Sequence, residues 1–134
     1  MKKLHCSHQK PYDTISLPIL PNFKIVHLGY FFKLIYNLQP MNNVIVKEVS
    51  KERYAIAKDM DMARIVGVSL NSFRKFLTVA KKEGVISGVE TTQGYGYIVN
   101  PAYAFDLDGN GLYVEVYEIF KHNDKFQEML KEEN

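Results

Sequence analysis

The chain has 134 residues, of which 46% are hydrophobic, a length and composition that suit one compact domain or one domain with a tail. Seventeen Lys and Arg against fifteen Asp and Glu leave a net charge of only +2. That excludes a charge-driven disordered chain, and the single cysteine excludes a disulfide scaffold or a Cys-rich zinc domain. No apolar run approaches the roughly 18 residues of a membrane span, and the opening MKKLHCSHQK has lysines but no apolar signal core. The expectation is a cytoplasmic protein without a membrane partner.

Residues 1–22 read as an arm. Pro11, Pro18 and Pro21 interrupt it, and proline withholds a backbone donor and restricts the residue before it, so a regular central strand is not expected. Ile15, Leu17, Ile19 and Leu20 still predict that the arm packs on something, either its own domain or a partner.

From Phe23, apolar residues recur at Val26, Tyr30, Phe31, Leu34, Ile35 and Leu38. Spacings of three and four predict an amphipathic helix, with Asn22 as N-cap and Pro40 as stop. Gly29 weakens it by about 1 kcal/mol. His27 reads as a surface or partly buried residue, not a ligand. Val44–Val49 and Tyr54–Lys58 are β-rich and flank the polar stretch Ser50 to Arg53. A hairpin is the simplest reading, and a strand running into a helix is the alternative, because the turn lacks Gly and Asn.

Residues 59–86 are the most informative. Asp59 can cap a short helix with Met62, Ile65 and Val66 on its inner face, and Gly67 follows where positive φ is easily accommodated. Val68 points inward, and Ser69 caps a longer helix that ends at Gly84. Phe73, Phe76, Leu77 and Ala80 form that helix's apolar side, opposite Asn71, Arg74, Lys75, Thr78, Lys81 and Lys82. VISGVET and YGYIVNP, joined by Thr91-Thr92-Gln93-Gly94, read as a second hairpin.

Helix, Gly-containing turn, helix and hairpin is the order of a winged helix-turn-helix, which carries its second helix into a DNA major groove. ARIVGVSLNSFRKFLTVAKKEGVI resembles the helix-turn-helix of many bacterial winged-helix proteins: small Ala63 where helices cross, Gly67 in the turn, Val68 beneath it, Ser69 capping, Phe73 and Leu77 in the core, Gly84 ending the helix. GYGYIVNPAYAF resembles a segment after the wing in the RepL-type plasmid replication proteins and related phage proteins, where an aromatic residue, an apolar pair and Asn-Pro close the wing strand; here these are Tyr97, Ile98, Val99, Asn100 and Pro101. The resemblance covers roughly residues 55–120 and leaves the arm and the C-terminal segment unmatched. It implies a DNA-binding protein of a mobile element, acting in replication initiation or transcription.

The expected fold is therefore α+β: an arm over 1–22, a winged-helix domain over 23–104, and an acidic helical segment over 105–134. Asn71, Arg74, Lys75 and Thr78 are the expected base-reading face, since Arg pairs with guanine and Asn with adenine through two bonds. Leu70 reads equally well as a thymine-methyl contact or as packing. Ser69 and Ser72 at the helix start, where free amides favour anions, and Lys81 and Lys82 near its end are expected at phosphates. Thr91, Thr92 and Gln93 at the wing tip read either as phosphate or minor-groove contacts or as a solvated turn. Tyr95 and Tyr97 alternate along the strand as packing residues.

His5-Cys6-Ser7-His8 has three potential metal ligands, but structural zinc takes four and no second cluster completes the set, so a flexible tail is expected. Asp106 to Gly111 matches the start of a calcium loop, but its twelfth position holds Tyr117 in place of the bidentate Glu. A capped turn is expected, and no metal or cofactor. No nucleophile motif, phosphate-binding Gly-Lys loop or paired His-Glu helix is present, so the protein does not read as an enzyme.

In the last segment Tyr113, Val116, Tyr117 and Phe120 form one stripe, continued by Phe126, Met129 and Leu130 beyond a break at His122-Asn123-Asp124. It predicts either core completion, including cover for the first helix, or a homodimer seam. The rival functional reading is a module that binds a host protein and occupies its nucleic-acid surface. The charge is unevenly spread. Residues 1–104 hold 14 basic and 7 acidic side chains, net +7, and residues 105–134 hold 3 basic and 8 acidic, net −5. The basic part contains the expected DNA face, and the acidic part should lie away from it.

Overall fold

The computed structural model describes residues 3–106 and 111–132. Among them the fold is mixed α+β, with five helices and three two-stranded antiparallel sheets. Helix α1 spans Ile25–Ile35 and starts from Lys24, not Asn22. Phe23 stays outside the helix because its ring packs edge-on against Phe31 and Phe76, at 6.3 and 5.5 Å between centroids. The later start sets the buried stripe at His27, Phe31, Leu34 and Ile35. Val26, expected to be inside, is 57% exposed. His27 takes the inner position, its ring 5.3 Å from that of Phe76.

After α1 the chain turns through Met41 and Asn43, both with positive φ, a conformation Asn tolerates better than most residues. Strands β2 (Val46–Ser50) and β3 (Arg53–Ile56) pair as the expected hairpin. Its turn needs neither Gly nor Asn because Glu52 adopts the left-handed conformation.

Helix α2 spans Asp59–Val66. Asp59 was expected as its cap, but the cap position is Lys58, whose N–H donates to the Asp61 carboxylate at 2.9 Å. Burial opposes the Asp61 charge, yet the bonds from Lys58 and Lys47 outweigh it and hold the carboxyl below its ordinary range. The helix ends at Gly67, φ 86°. Lys33 of α1 donates to the Val66 carbonyl at 3.0 Å, satisfying an end carbonyl and complementing the dipole there. Ser69 caps α3 (Leu70–Lys82) by accepting from the Ser72 N–H at 3.1 Å. Phe73, Phe76, Leu77 and Ala80 are buried as the period predicts.

Strands β4 (Ile86–Thr91) and β5 (Gly94–Val99) form the second hairpin. Residues 43–45 lie along its free edge: Ile45 N–H donates to Tyr97 O, Val99 N–H donates to Asn43 O, and Val44 bridges Ile98. Alternation along β5 then divides the interior. Tyr97 and Val99 join the core of α1, α2 and α3. Ile98, with Val89 of β4, joins a second core with Leu4, Cys6, Val44, Val46 and Ile56. Val116 and Phe120 of α4 (Val114–Phe120) and Phe126 of α5 (Asp124–Glu132) complete that second core.

The acidic C-terminal segment therefore packs on the hairpin face opposite α1–α3. Its apolar stripe completes the core on the hairpin's second face, and Met129 also packs against the first core. The break between α4 and α5 falls where expected, and Asn123 there accepts from Asn100 Nδ2 at 3.0 Å. Residues 107–110, within the calcium-like string, lie outside the described residues.

The N-terminal segment is not a free tail. Leu4 exchanges backbone bonds with Glu90 and Thr92, and Leu4 and Cys6 are buried. Further on, β1 (Ile15–Ser16) pairs with β6 (Phe105–Asp106). Ile15 packs against the first core as expected, with Tyr12 beside it and Leu4 and Cys6 in the second core, whereas Leu17, Ile19 and Leu20, also expected to pack, are exposed. Buried amides tie the segment down. Gln39 accepts from Ser7 N–H and donates to the carbonyls of Ser7 and Gln9. Asn43 accepts from the Tyr12 hydroxyl and donates to Val99 O and Ala104 O.

Candidate nucleic-acid interface

The outer side of α3 is set by helical period. With Phe73, Phe76, Leu77 and Ala80 inward, residues 71, 74, 75, 78, 81 and 82 must face out. All six are exposed. Asn71, Lys75 and Lys82 have no hydrogen bond or ion pair among the described residues, so their donors are free for a ligand. Thr78 bonds back to the Arg74 carbonyl at 3.0 Å. Lys81 lies over the Tyr97 ring, 5.3 Å from its centroid, a cation–π position that orients the ammonium beside the hairpin. Ser69 and Ser72 share a hydroxyl bond at 3.1 Å at the start of α3, and both are exposed. Leu70 is half-buried.

Arg74 is not free. Its Nε donates to Asp59 Oδ2 at 3.4 Å. Asp59 Oδ1 accepts from the Tyr97 hydroxyl at 2.6 Å. Burial, together with this bond to Asp59, raises the Tyr97 phenol well above its ordinary range, so it stays a proton donor. Lys58 donates to the Tyr95 carbonyl on the same strand. The residues 58, 59, 74, 81, 95 and 97 thus join α2, α3 and β5 into one polar shoulder. Sequence reading took Asp59 as a cap and Tyr97 as packing alone. The spacing of 15 and 38 residues that brings Arg74 and Tyr97 to Asp59 carries no local signal.

The hairpin tip is tied into the fold by its own polar groups. Thr91 is fully buried, its hydroxyl donating to Gly94 O at 2.8 Å. Thr92 Oγ1 accepts from Cys6 N–H and lies 3.2 Å from Cys6 O. Gln93 donates to the carbonyls of Cys6 and Ser7 and accepts from Ile56 N–H. Thr91 is therefore turned inward, away from the outward-facing contact expected of it, while Thr92 stays exposed and Gln93 half-buried, their polar groups bonded to the N-terminal segment like a clasp.

Among the described residues no group of three or more His, Cys, Asp or Glu is placed to hold a metal. Burial pushes the Cys6 thiol up to about 11, so it is protonated at neutral pH and a weak nucleophile. Among the described residues no helix is long and apolar enough to cross a membrane. Compared with family models, with curated proteins and with solved structures, the chain finds no match.

Proposed function

We propose that this protein is a winged-helix protein that binds a specific site on double-stranded DNA, with α3 as the helix entering the major groove. The observation that carries this reading is the outer row of α3, where Asn71, Arg74, Lys75, Thr78, Lys81 and Lys82 are all exposed on a helix held behind the Gly67 turn. A B-form major groove admits one helix, and a row of this kind offers both base-edge donors and phosphate-binding ammonium groups. Two further features support the reading. Residues 43–45 add a bridged segment to the free edge of β5, and apart from the inserted β2–β3 hairpin the order helix, edge segment, helix, helix, hairpin is that of a winged helix. The acidic C-terminal helices pack on the other hairpin face, leaving the basic side unopposed.

On the resemblance of residues 94–105 to RepL-type proteins, we propose that this activity serves replication initiation or transcriptional control of a plasmid or phage. A homodimer fits a two-half-site target, and its seam is proposed at the exposed Leu17, Leu20, Ile25 and Val26. These lie around the start of α1 and not on the C-terminal stripe. A mobility-shift assay on the control region of the encoding element is the test. Site-selective binding at moderate salt is expected, and its absence overturns the reading.

One observation favours a second reading, a protein-binding module. An apolar cavity of about 290 Å³ between Leu4, Val89 and Ile119 is rimmed by Glu90, Glu115, Glu118 and Lys121. This excess of acid suits a basic host protein of the kind that itself binds nucleic acid. Charge reversal at Glu90 and Glu118 that abolishes function while DNA binding persists would favour it.

A further inference from the structure

The shoulder between α2, α3 and β5 contains one anion where a DNA-binding surface would be expected to contain none. Asp59 sits in the first turn of α2, where the helix dipole favours a negative charge. One carboxylate oxygen is held by the Tyr97 hydroxyl and the other faces Arg74 Nε. The Asp59 side chain is 29% exposed and that of Arg74 61%, so the pair is open to a ligand on the arginine side. Arginine has five N–H donors in a rigid fork. Asp59 engages the one on Nε and leaves the four on the Nη atoms. The two-bond contact to guanine O6 and N7 needs only two donors.

Two consequences follow from this geometry. Anchoring Nε restricts the rotation of the fork before DNA arrives, which lowers the entropy cost of a correctly placed guanine contact. The carboxylate also shares its shoulder with the ammonium groups of Lys58 and Lys81, where a phosphate drawn to those lysines would meet it. It opposes nonspecific electrostatic docking, which makes no compensating base contact.

We infer that Asp59 is a positioning residue that sets Arg74 to read a guanine and lowers affinity for non-cognate duplex. The inference rests on the DNA-binding reading above.

The test measures dissociation constants for the duplex that gives the site-selective mobility shift and for a scrambled duplex of the same composition at one salt concentration, together with Tm. It uses the full chain and the variants Asp59→Asn, Asp59→Glu, Arg74→Ala and the double variant Asp59→Asn/Arg74→Ala. Asp59→Asn should bind scrambled DNA more tightly and lower the specific-to-scrambled ratio roughly tenfold, within the range of one two-bond base contact. Asp59→Glu should recover much of the ratio. With Arg74→Ala in place, Asp59→Asn should lower the ratio no further. Replacing the contacted guanine by 7-deazaguanine should weaken the wild type and leave Arg74→Ala unchanged. A ratio unchanged by Asp59→Asn overturns the inference and leaves the DNA-binding reading intact. So does an equal loss on both duplexes with a lower Tm, which marks a scaffolding role. A wild type that binds neither duplex overturns the DNA-binding reading and the inference with it.

Discussion

The outer row of α3 and the tip of the β4–β5 hairpin are both polar, and they differ in what their polar groups already do. At the tip, Thr91, Thr92 and Gln93 spend their donors and acceptors on Gly94, Cys6, Ser7 and Ile56. On α3, Asn71, Lys75 and Lys82 have no internal partner among the described residues. In sequence the two stretches look alike as candidate contacts. A polar group already bonded within the fold must break that bond before it can meet a ligand, so availability separates a binding surface from a clasp.

The comparison breaks most visibly at the tip. Gln93→Ala removes three hydrogen bonds and leaves two carbonyls and one N–H without these partners. At about 1 kcal/mol for each bond, a loss of about 2–3 kcal/mol in unfolding free energy is expected. Affinity for DNA at a temperature where the variant is folded should stay unchanged. A stable variant with weakened DNA binding would return the tip to the interface.

Arg74→Ala tests the other side. Its loss should relax specificity at one base position by about 1–3 kcal/mol, read by competition among single-base variants of the site. Stability should change by about 1 kcal/mol or less, because the arginine side of the ion pair is exposed and Asp59 keeps its bond from Tyr97. A large fall in stability with specificity retained would make Arg74 part of the scaffold.

Lys82→Ala should act more weakly and evenly. A phosphate contact carries no base information, so all sequences should lose affinity alike. The slope of log affinity against log salt should become shallower by about one. Sequence-dependent losses would move Lys82 to the base-reading set.

Much of this contrast was legible in residue spacing. The period of α3, the Gly67 turn and the Ser69 cap are local features, and local features survive into the fold. The acidic C-terminal segment was expected to lie away from the basic part, and it packs on the hairpin face opposite α1–α3. The N-terminal segment was misread because its anchoring is long-range. Leu4 and Cys6 are fixed by residues about 86 positions away, and Gln39, Asn42 and Asn43 act as buried connectors. Nothing about an amide in a loop announces that it will be buried. Asn100 shows the same limit: within the Asn-Pro string it looks like a family mark, and in the fold its side chain joins Gly84, Ala102 and Asn123.

The smallest expected effect concerns the inner support of α3. His27 packs on Phe76, and burial, with the nearby charge of Lys24, holds its pKa below the ordinary imidazole value. Above that ordinary value the ring is neutral both folded and unfolded, so its contribution to stability is fully present. As pH falls through the ordinary value towards the folded one, the unfolded chain takes up a proton that the folded chain resists. Stability should therefore decline over that acid window. His27→Phe keeps an aromatic ring against Phe76 and removes the titration, so its Tm should fall less between pH 7.5 and pH 5.5 than that of the wild type. An identical fall would show that His27 is not the source of the acid sensitivity in this window; Asp61, whose folded pKa is also lowered, loses its contribution only at still lower pH. Site-selective DNA binding at pH 7.5 should be the same in both proteins, because His27 meets α3 at Phe76, on its inner side and away from the exposed row proposed to read DNA.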